Sequence, residues 1–392
     1  MTAKEMNKAY AHWLYQAAGM GNRGLLRKME RIGTPQEIYE MAVSGQLEER
    51  MEEQMKELFC GNPASKYRRK AAQITEAAMD CDVVGDYEQM SERGISFLSC
   101  KDEDFPQKLA SIPDPPYAIY YVGRLPEEHR QTLAVIGARN CSEYGRYMAR
   151  KFCEELAASG VQIVSGMARG IDGIAQTAAL DAGGYSLGVL GCGVDVCYPA
   201  EHRELYERLI AEGGICSEYP QGIEPRAMLF PPRNRIISGW CDGVLVIEAK
   251  ERSGTLITVD MALEQGREVY ALPGRATDPL SAGCHKLIRQ GAELISSPQQ
   301  LLRGIQNVCR DGCRQERYEQ QELFISVEME GLKGELLRIL DFQPKSLDRM
   351  QAEYDKAYGK SISIPDLCGE LLRLCVDGYA GQVGGGCYVR KK

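Results

Sequence analysis

Between residues 133 and 272, short apolar runs typical of buried strands alternate six times with helical patterns. The predicted strands lie near 133–138, 161–166, 185–191, 214–218, 243–249 and 268–272. Helical crossovers between strands are the connections that parallel strands need. The alternation therefore predicts an α/β protein with a Rossmann-like, doubly wound and mostly parallel sheet. Strand-like segments at 117–122 and 292–295 would extend the edges of this sheet.

The chain is longer than one hydrophobic core usually supports, so several domains are expected. Residues 1–110 are predicted to form a helical domain, in which 19–30 resembles the helix-hairpin-helix element of SAM-like domains. A plain helical bundle with a solvated basic face explains the same pattern equally well. A proline-rich run at 113–116 separates this domain from the core at 111–300. A charged linker at 301–330 then precedes a winged-helix-like domain at 331–392.

Charge and cysteine content exclude several classes of protein. The formal net charge is -8, so a generally basic nucleic-acid binder is excluded, and any anion site must be a local patch. The 15 cysteines are scattered and are expected to be reduced thiols. Cys309 and Cys313 come closest to a metal pair, but no second pair lies near them, so no metal is expected. The polar start and the lack of a long apolar run indicate a cytoplasmic protein.

Glycine, hydroxyl and arginine side chains follow the predicted strands. Ligands of open parallel sheets bind at the carboxyl ends of the strands, and arginines beside free backbone N–H groups favour an anion. We therefore predict a phosphate-binding site, although surface ion pairs are the plain alternative for the arginines. The candidate residues are Gly137, Arg139, Ser165, Gly166, Arg169, Gly170, Gly193, Phe230, Arg233, Asn234, Arg235, Ser253, Gly254 and Thr255.

Two neighbouring residues are expected to have other roles. Asp172 is predicted to cap a helix and not to act in catalysis. Tyr198 is as well explained by stacking on a nucleobase as by ordinary packing.

Common cofactor motifs are absent from the sequence. The turn after the first core strand carries Arg139 where a dinucleotide fingerprint needs glycine, and no P-loop is present. Nothing supports a hydrolytic triad. We expect no cofactor and no catalytic residue.

The ordered motifs resemble one family over residues 110–296. They are the Gly-x-Arg turn at 137–139, SGMARGID, G-x-D-x-x-YP, SEYP, FPPRNRIISG, SGTL, LPG and GCHKLIRQGAELI. Together they resemble the bacterial DNA-processing proteins called DprA or Smf. Two positions depart from the family pattern: Gln176 stands where many members have histidine, and His285 where many have asparagine.

The resemblance implies a protein that binds single-stranded DNA with little sequence preference and is not an enzyme. It also implies a homodimer through the α/β core and the loading of RecA recombinase onto strands covered by single-strand binding protein. Such proteins serve recombination and natural transformation. In this reading Arg139, Arg169, Arg233 and Arg235 would contact the phosphate backbone.

Two other functions remain open from the residues. A nucleotide phosphoribohydrolase of similar fold would need a glutamate where Thr258 stands, and a hydroxyl cannot replace that carboxylate. A small-nucleotide sensor could use Glu248 to contact a ribose, unless this carboxylate is structural.

Overall fold

The computed structural model describes residues 2–19, 21–58, 64–308, 331–341, 344–383 and 386–391. It divides into two compact units, Met1–Asn307 and Val308–Lys392. Within the described ranges, no helix combines the length and the apolar run needed to cross a bilayer.

Six helices open the first unit. They are α1 (Ala3–Ala18), α2 (Arg23–Met29), α3 (Pro35–Val43), α4 (Leu47–Leu58), α5 (Ala64–Met79) and α6 (Val83–Glu92). Capping boxes start two of them: Thr2 with Glu5 for α1, and Thr34 with Glu37 for α3. The buried faces of these helices join one hydrophobic cluster with residues of the α/β core such as Leu190 and Ile215.

The sheet begins earlier than the domain boundary expected near residue 110. Strand β1 (Ser96–Ser99) pairs antiparallel with β2 (Ala118–Gly123) at the edge of the large sheet. This strand follows six helices and stands outside the strand–helix alternation that marks the core, so it could not be separated from the helical region.

Seven further strands complete a nine-stranded sheet. They are β3 (Thr132–Ile136), β4 (Gln162–Ser165), β5 (Ser186–Val189), β6 (Gly214–Ser217), β7 (Gly243–Val246), β8 (Glu268–Ala271) and β9 (Glu293–Leu294). The spatial order is β1-β2-β6-β5-β4-β3-β7-β8-β9, and all pairs from β6 to β9 are parallel. This confirms the predicted Rossmann-like sheet, and its connections change direction between β3 and β7.

Helices cover both faces of this sheet. They are α7 (Gln107–Ala110), α8 (Glu143–Ala158), α9 (Ile171–Asp181), α10 (Arg203–Glu212), α11 (Phe230–Gly239), α12 (Gly254–Glu264), α13 (Ala282–Arg289) and α14 (Pro298–Val308), with short 3-10 turns at Ala200–His202 and Ala227–Leu229. Alternate residues of β3 enter different cores: Leu133 and Val135 pack with α8 and α9, whereas Ala134 and Ile136 pack with α11 and α12.

The second unit contains α15 (Leu332–Ile339), α16 (Leu347–Tyr358), α17 (Ile364–Val376) and a hairpin of β10 (Ala380–Val383) and β11 (Cys387–Arg390). Its core includes Leu336, Leu367, Leu371 and Tyr388. Helices followed by a hairpin are the element order predicted for this region. Most of the predicted linker, residues 309–330, lies outside the described residues.

Candidate nucleic-acid interface

The loops that follow β3 and β7 meet where the sheet connections change direction. Thr255 lies in the first turn of α12, and its hydroxyl donates a hydrogen bond of 3.2 Å to the carbonyl of Gly137 after β3. Ser253 precedes the helix, and a Cβ on Gly254 would meet nothing within 4 Å. The N-terminal N–H groups of α12 therefore border open space at the carboxyl edge of the sheet.

The loop after β4 packs directly on the turn after β3. Gly170 has φ +74°, and a Cβ on it would lie 2.3 Å from the carbonyl oxygen of Ala138. Only glycine fits there, both in conformation and in space. A Cβ on Gly137 would in turn lie 2.6 Å from Ile171. These contacts fix Arg139 beside the loop that carries Arg169.

Met167, at the centre of the loop after β4, adopts a conformation that is uncommon for a residue with a side chain. Its φ is +52° although the side chain is fully buried. Its N–H donates to Gln176 Oε1 (3.0 Å), and its carbonyl lies 3.1 Å from His202 Nδ1. Such a backbone persists only where its surroundings hold it in place, which is typical of functional loops.

Both departures from the family pattern have structural partners. Gln176 is buried, and besides holding Met167 its amide donates to the carbonyl of Leu187 (3.0 Å). His285 Nε2 lies 3.0 Å from the carbonyl of Gly274. Both side chains bond to backbone groups of loops. The two departures therefore leave the arginines of the candidate site in place.

Arg233 is buried beneath the loop after β4. It is 5% exposed, and its Nη1 donates to the carbonyls of Gly166 (2.9 Å) and Val189. Asp172 accepts a hydrogen bond of 3.1 Å from the amide of Gly166. Burial lowers the pKa of Arg233 and raises the pKa of Asp172, and the charge of each opposes the shift of the other. Asp172 therefore holds this loop; the expected helix cap was wrong, because α9 has Gly170 at its N-cap.

Arg235, two residues further along α11, lies in an ion-pair cluster in which Arg235 and Glu218 are buried and Asp114 is half exposed. Its guanidinium binds Glu218 (2.7 Å) and Asp114 (3.2 Å). Arg23 of α2 reaches the same carboxylates, at 2.9 Å from Asp114 and 3.6 Å from Glu218. Burial raises the pKa of Glu218, and the charge of Arg23 opposes this shift. The cluster joins the N-terminal helices to α11. Its carboxylates bind the guanidinium of Arg235, which the sequence analysis had assigned to phosphate.

The exposed part of the site consists of an aromatic pair and two arginines. The rings of Tyr198 and Phe230 lie 5.5 Å apart at an angle of 32°, and Tyr198 is 42% exposed. Arg139 Cζ lies 5.9 Å from the centroid of the Phe230 ring, and this exposed arginine forms no ion pair with the residues that the structure describes. Arg169 is also exposed but pairs with Glu201. Such a group offers a charge for a phosphate and ring faces for a base.

The remaining candidate residues support the loops from within. Ser165 is fully buried and donates to the carbonyl of Val135 (2.6 Å). Gly193 leaves room for a close backbone contact, since a Cβ would lie 2.8 Å from the carbonyl of Pro220. Asn234 Oδ1 accepts from Arg233 Nε at 3.3 Å. The sequence did not show which of these side chains point inward.

Two contacts could not be predicted from the sequence. Glu248, two residues after β7, is 1% exposed and accepts from the amide (2.9 Å) and hydroxyl of Ser142. Ser142 in turn caps α8. Glu248 is thus a structural carboxylate and not free to contact a ribose. Glu201 as the partner of Arg169 has no sequence signal, because the two residues lie far apart in the chain.

The described residues contain no group of three or more histidine, cysteine or acidic side chains that could hold a metal ion. Cys309 and Cys313 lie outside the described residues.

Comparisons with known proteins agree with this arrangement. The family model described as DNA recombination-mediator protein A matches residues 96–306, which is more than half of the chain. Protein Smf of Escherichia coli is 48% identical over 210 residues, covering 53% of this chain and 56% of the relative. DNA processing protein DprA of Streptococcus pneumoniae is 44% identical over 205 residues, covering 52% of this chain and 72% of the relative. The chain thus spans little more than half the length of the Escherichia coli protein.

A solved structure supports the same assignment. The X-ray structure of DprA from Streptococcus pneumoniae aligns with a TM-score of 0.61 and 33% identity, covering 75% of this chain and 97% of that protein. The family match begins at β1, the first strand of the sheet, and ends within α14. The chain belongs to the DNA recombination-mediator protein A family.

Proposed function

We propose that the chain binds single-stranded DNA at the carboxyl edge of the sheet and acts in DNA recombination as a binding protein, without catalysis. The observation that carries the proposal is Arg139, an exposed arginine beside the rings of Phe230 and Tyr198. A phosphate can meet the guanidinium while an unpaired base stacks on an exposed ring. A duplex keeps its bases stacked on one another, so this arrangement favours single strands.

Not every predicted arginine has the same part in this proposal. Arg139 and Arg169 are exposed and would contact phosphates. Arg233 and Arg235 are each 5% exposed and would shape the site from beneath. With two phosphates neutralised, the logarithm of the binding constant should fall with a slope of about -1.4 against the logarithm of salt concentration.

Delivery of RecA onto single strands, including strands covered by single-strand binding protein, is part of the same proposal. It is supported by membership of a family of recombination mediators and by the resemblance of the core motifs. A homodimer through the α/β core is supported by exposed apolar side chains on α12 and on the edge strand β9. Ile257 and Leu263 of α12 are 40% and 60% exposed, and Leu294 of β9 is 47% exposed.

A mononucleotide sensor is the second candidate, and the contacts of Glu248 disfavour it. A ribose would need a free carboxylate at this strand end, whereas Glu248 is buried and bound to Ser142. The phosphoribohydrolase reading is disfavoured as well, because Thr258 at the glutamate position is 3% exposed.

The test is fluorescence anisotropy of a labelled single-stranded oligonucleotide and its matched duplex across a salt series. The variant is Arg139→Gln, and the control is Arg130→Gln. Arg130 is an exposed arginine that precedes β3, at the opposite end of the same strand. Arg139→Gln should weaken single-strand binding and reduce the salt slope by about 0.7. Arg130→Gln should leave both unchanged.

Equal binding by both variants would overturn the proposed site. A thermal shift with mononucleotides but not with oligonucleotides would favour the sensor instead, since a ligand that binds only the folded state raises its apparent stability.

A further inference from the structure

The loops after β7 and β8, together with the start of α13, form a basic patch. Residues 249–254 and 273–286 carry four cations against two carboxylates: Lys250, Arg252, Arg275 and Lys286 against Glu251 and Asp278. The whole chain, by contrast, has a formal net charge of -8. A local excess of cations on an acidic protein is the pattern of an anion-binding surface.

Most of these cations are available to a ligand. The side chains of Lys250 and Arg252 are exposed, and that of Lys286 is half-buried. None of the three forms an ion pair with a residue in the described parts of the chain. Glu248 precedes Lys250 by two residues, but its carboxylate is buried and bound to Ser142. The patch is therefore not neutralised by the protein itself.

Backbone contacts hold the parts of the patch together. The amide of Ala249 donates to the carbonyl of Leu280 (2.8 Å), and the amide of Gly283 donates to the carbonyl of Ala249 (2.8 Å). A Cβ on Gly283 would lie 2.7 Å from the carbonyl oxygen of Lys250, so the first turn of α13 packs directly on this loop. Lys286 follows Gly283 by three residues and lies on the same side of the helix.

The patch continues the sheet edge that carries Arg139. Thr255, in the first turn of α12, donates to the carbonyl of Gly137, two residues before Arg139. Arg252 lies two residues before the start of the same helix. Arg139 and Arg252 are therefore on chain segments that meet at the N-terminus of α12, beside the open space at Gly254.

We propose that the single strand continues from the aromatic pair past Arg139, across the N-terminus of α12 and onto the basic patch. This path rests on the proposed function above. The cations are spread over two loops and a helix, so successive phosphates of one polymer can meet all of them, whereas a small anion would meet only one or two.

The two parts of the path hold the strand differently. Tyr198 and Phe230 offer ring faces to bases, whereas residues 249–254 and 273–286 contain no phenylalanine, tyrosine or tryptophan. The patch would therefore hold the phosphate backbone and leave the bases free. Its contribution should appear only with strands long enough to reach it.

The experiment compares labelled single-stranded oligonucleotides of about 5 and about 15 nucleotides by fluorescence anisotropy across a salt series. The short strand should show a slope of about -1.4, from the two phosphates at Arg139 and Arg169. The long strand should show a slope of about -3.5, because Lys250, Arg252 and Lys286 add three phosphates.

The variant Lys250→Gln/Lys286→Gln should bind the long strand about tenfold more weakly at low salt, with a slope of about -2.1. Its affinity for the short strand should not change, which also shows that the variant is folded. Arg124→Gln/Arg130→Gln is the control with the same loss of charge. Arg124 follows β2 and Arg130 precedes β3, so both exposed arginines lie at the opposite end of the sheet.

Three results would overturn the path. Equal binding of the long strand by the two double variants would leave the site at Arg139 standing without it. An equal loss with both strand lengths would show that the patch is not a separate segment. Binding of poly-glutamate that is lost in Lys250→Gln/Lys286→Gln, with DNA binding unchanged, would assign the patch to an acidic polypeptide. Failure of the natural protein to bind either strand would instead reject the proposed function, and the path with it.

Discussion

Arg233 and Asp172 are bound to the same residue, Gly166, one through its carbonyl and the other through its amide. Two opposite charges thus hold one peptide segment of the loop after β4. Neither charge points to solvent, so the pair shapes the site without contacting a ligand. The space for this arrangement exists because residue 166 has no side chain. A Cβ there would lie 2.7 Å from Arg233 Nη2 and 2.9 Å from Asp172 Oδ2.

Gly166→Ala should therefore destabilise the fold by about 1–3 kcal/mol, since the added methyl must displace one of two buried charged groups. Single-strand binding should weaken with it. Gly254→Ala is the matched control, because its added methyl would meet nothing within 4 Å. Urea unfolding of both variants checks this. A loss of stability in Gly254→Ala as large as that in Gly166→Ala would contradict the steric argument.

Tyr198→Ala should weaken single-strand binding about 5- to 150-fold, the range that corresponds to about 1–3 kcal/mol for one stacked base. Tyr198→Phe should bind within about twofold of the natural protein, because the ring face is retained. Thermal stability should not change, since the side chain is 42% exposed. Anisotropy titrations at one salt concentration distinguish these outcomes, and equal binding by the alanine and phenylalanine variants would exclude stacking at this ring.

Glu201→Gln should strengthen single-strand binding about two- to threefold at low salt. The change frees Arg169 from its ion pair and removes a negative charge beside the proposed DNA path. The gain should disappear when Arg169→Gln is added. Glu53→Gln provides the control, since Glu53 also pairs with an exposed arginine, Arg50. Binding that is unchanged or weaker in Glu201→Gln would show that Arg169 does not meet the strand.

His12 should make the stability of the first unit depend on pH. Burial lowers its pKa from 6.5 to about 4, and the ring lies among Tyr87, Phe97 and Tyr120. The unfolded chain therefore binds the proton more tightly than the folded one. Stability is complete above about pH 6.5 and is lost as the pH falls toward 4, by about 2 kcal/mol between pH 7 and pH 5.

The measurement is urea unfolding of the natural protein and His12→Gln at pH 7 and pH 5, followed by tryptophan fluorescence. Trp13 is the neighbouring residue and is 4% exposed. The difference between the two pH values should shrink by about 2 kcal/mol in the variant. An undiminished difference would mean that other groups set the pH dependence.

The sheet could be predicted because each core strand is a continuous apolar run followed by a helix. Such a pattern leaves few alternatives. Strand β1 was not predicted because it directly follows the helical region and lies outside the strand–helix alternation of the core. The winged-helix-like character of residues 331–392 stays a prediction, although helices do precede a hairpin there.

For the candidate site, the sequence predicted which loops carry glycine and arginine, but it could not tell exposed from buried arginines. Charged side chains are rarely buried without partners, so Arg233 and Arg235 were expected at the surface. Their partners are backbone carbonyls of distant loops in one case, and Glu218 and Asp114 in the other. None of these contacts is marked by spacing along the chain.

The ion-pair cluster of Arg23, Asp114, Glu218 and Arg235 limits which segments can be deleted from this protein. Tyr15 of α1 adds a hydrogen bond of 2.6 Å to the carbonyl of Glu218, and one apolar cluster runs from the first helices into the sheet. Cleavage at the proline-rich run would leave part of one core on each fragment, with buried charges stripped of their partners. The N-terminal helices thus share one hydrophobic core with the sheet that carries the proposed DNA-binding edge. A shortened protein that begins at the sheet would need new side chains where those helices now pack.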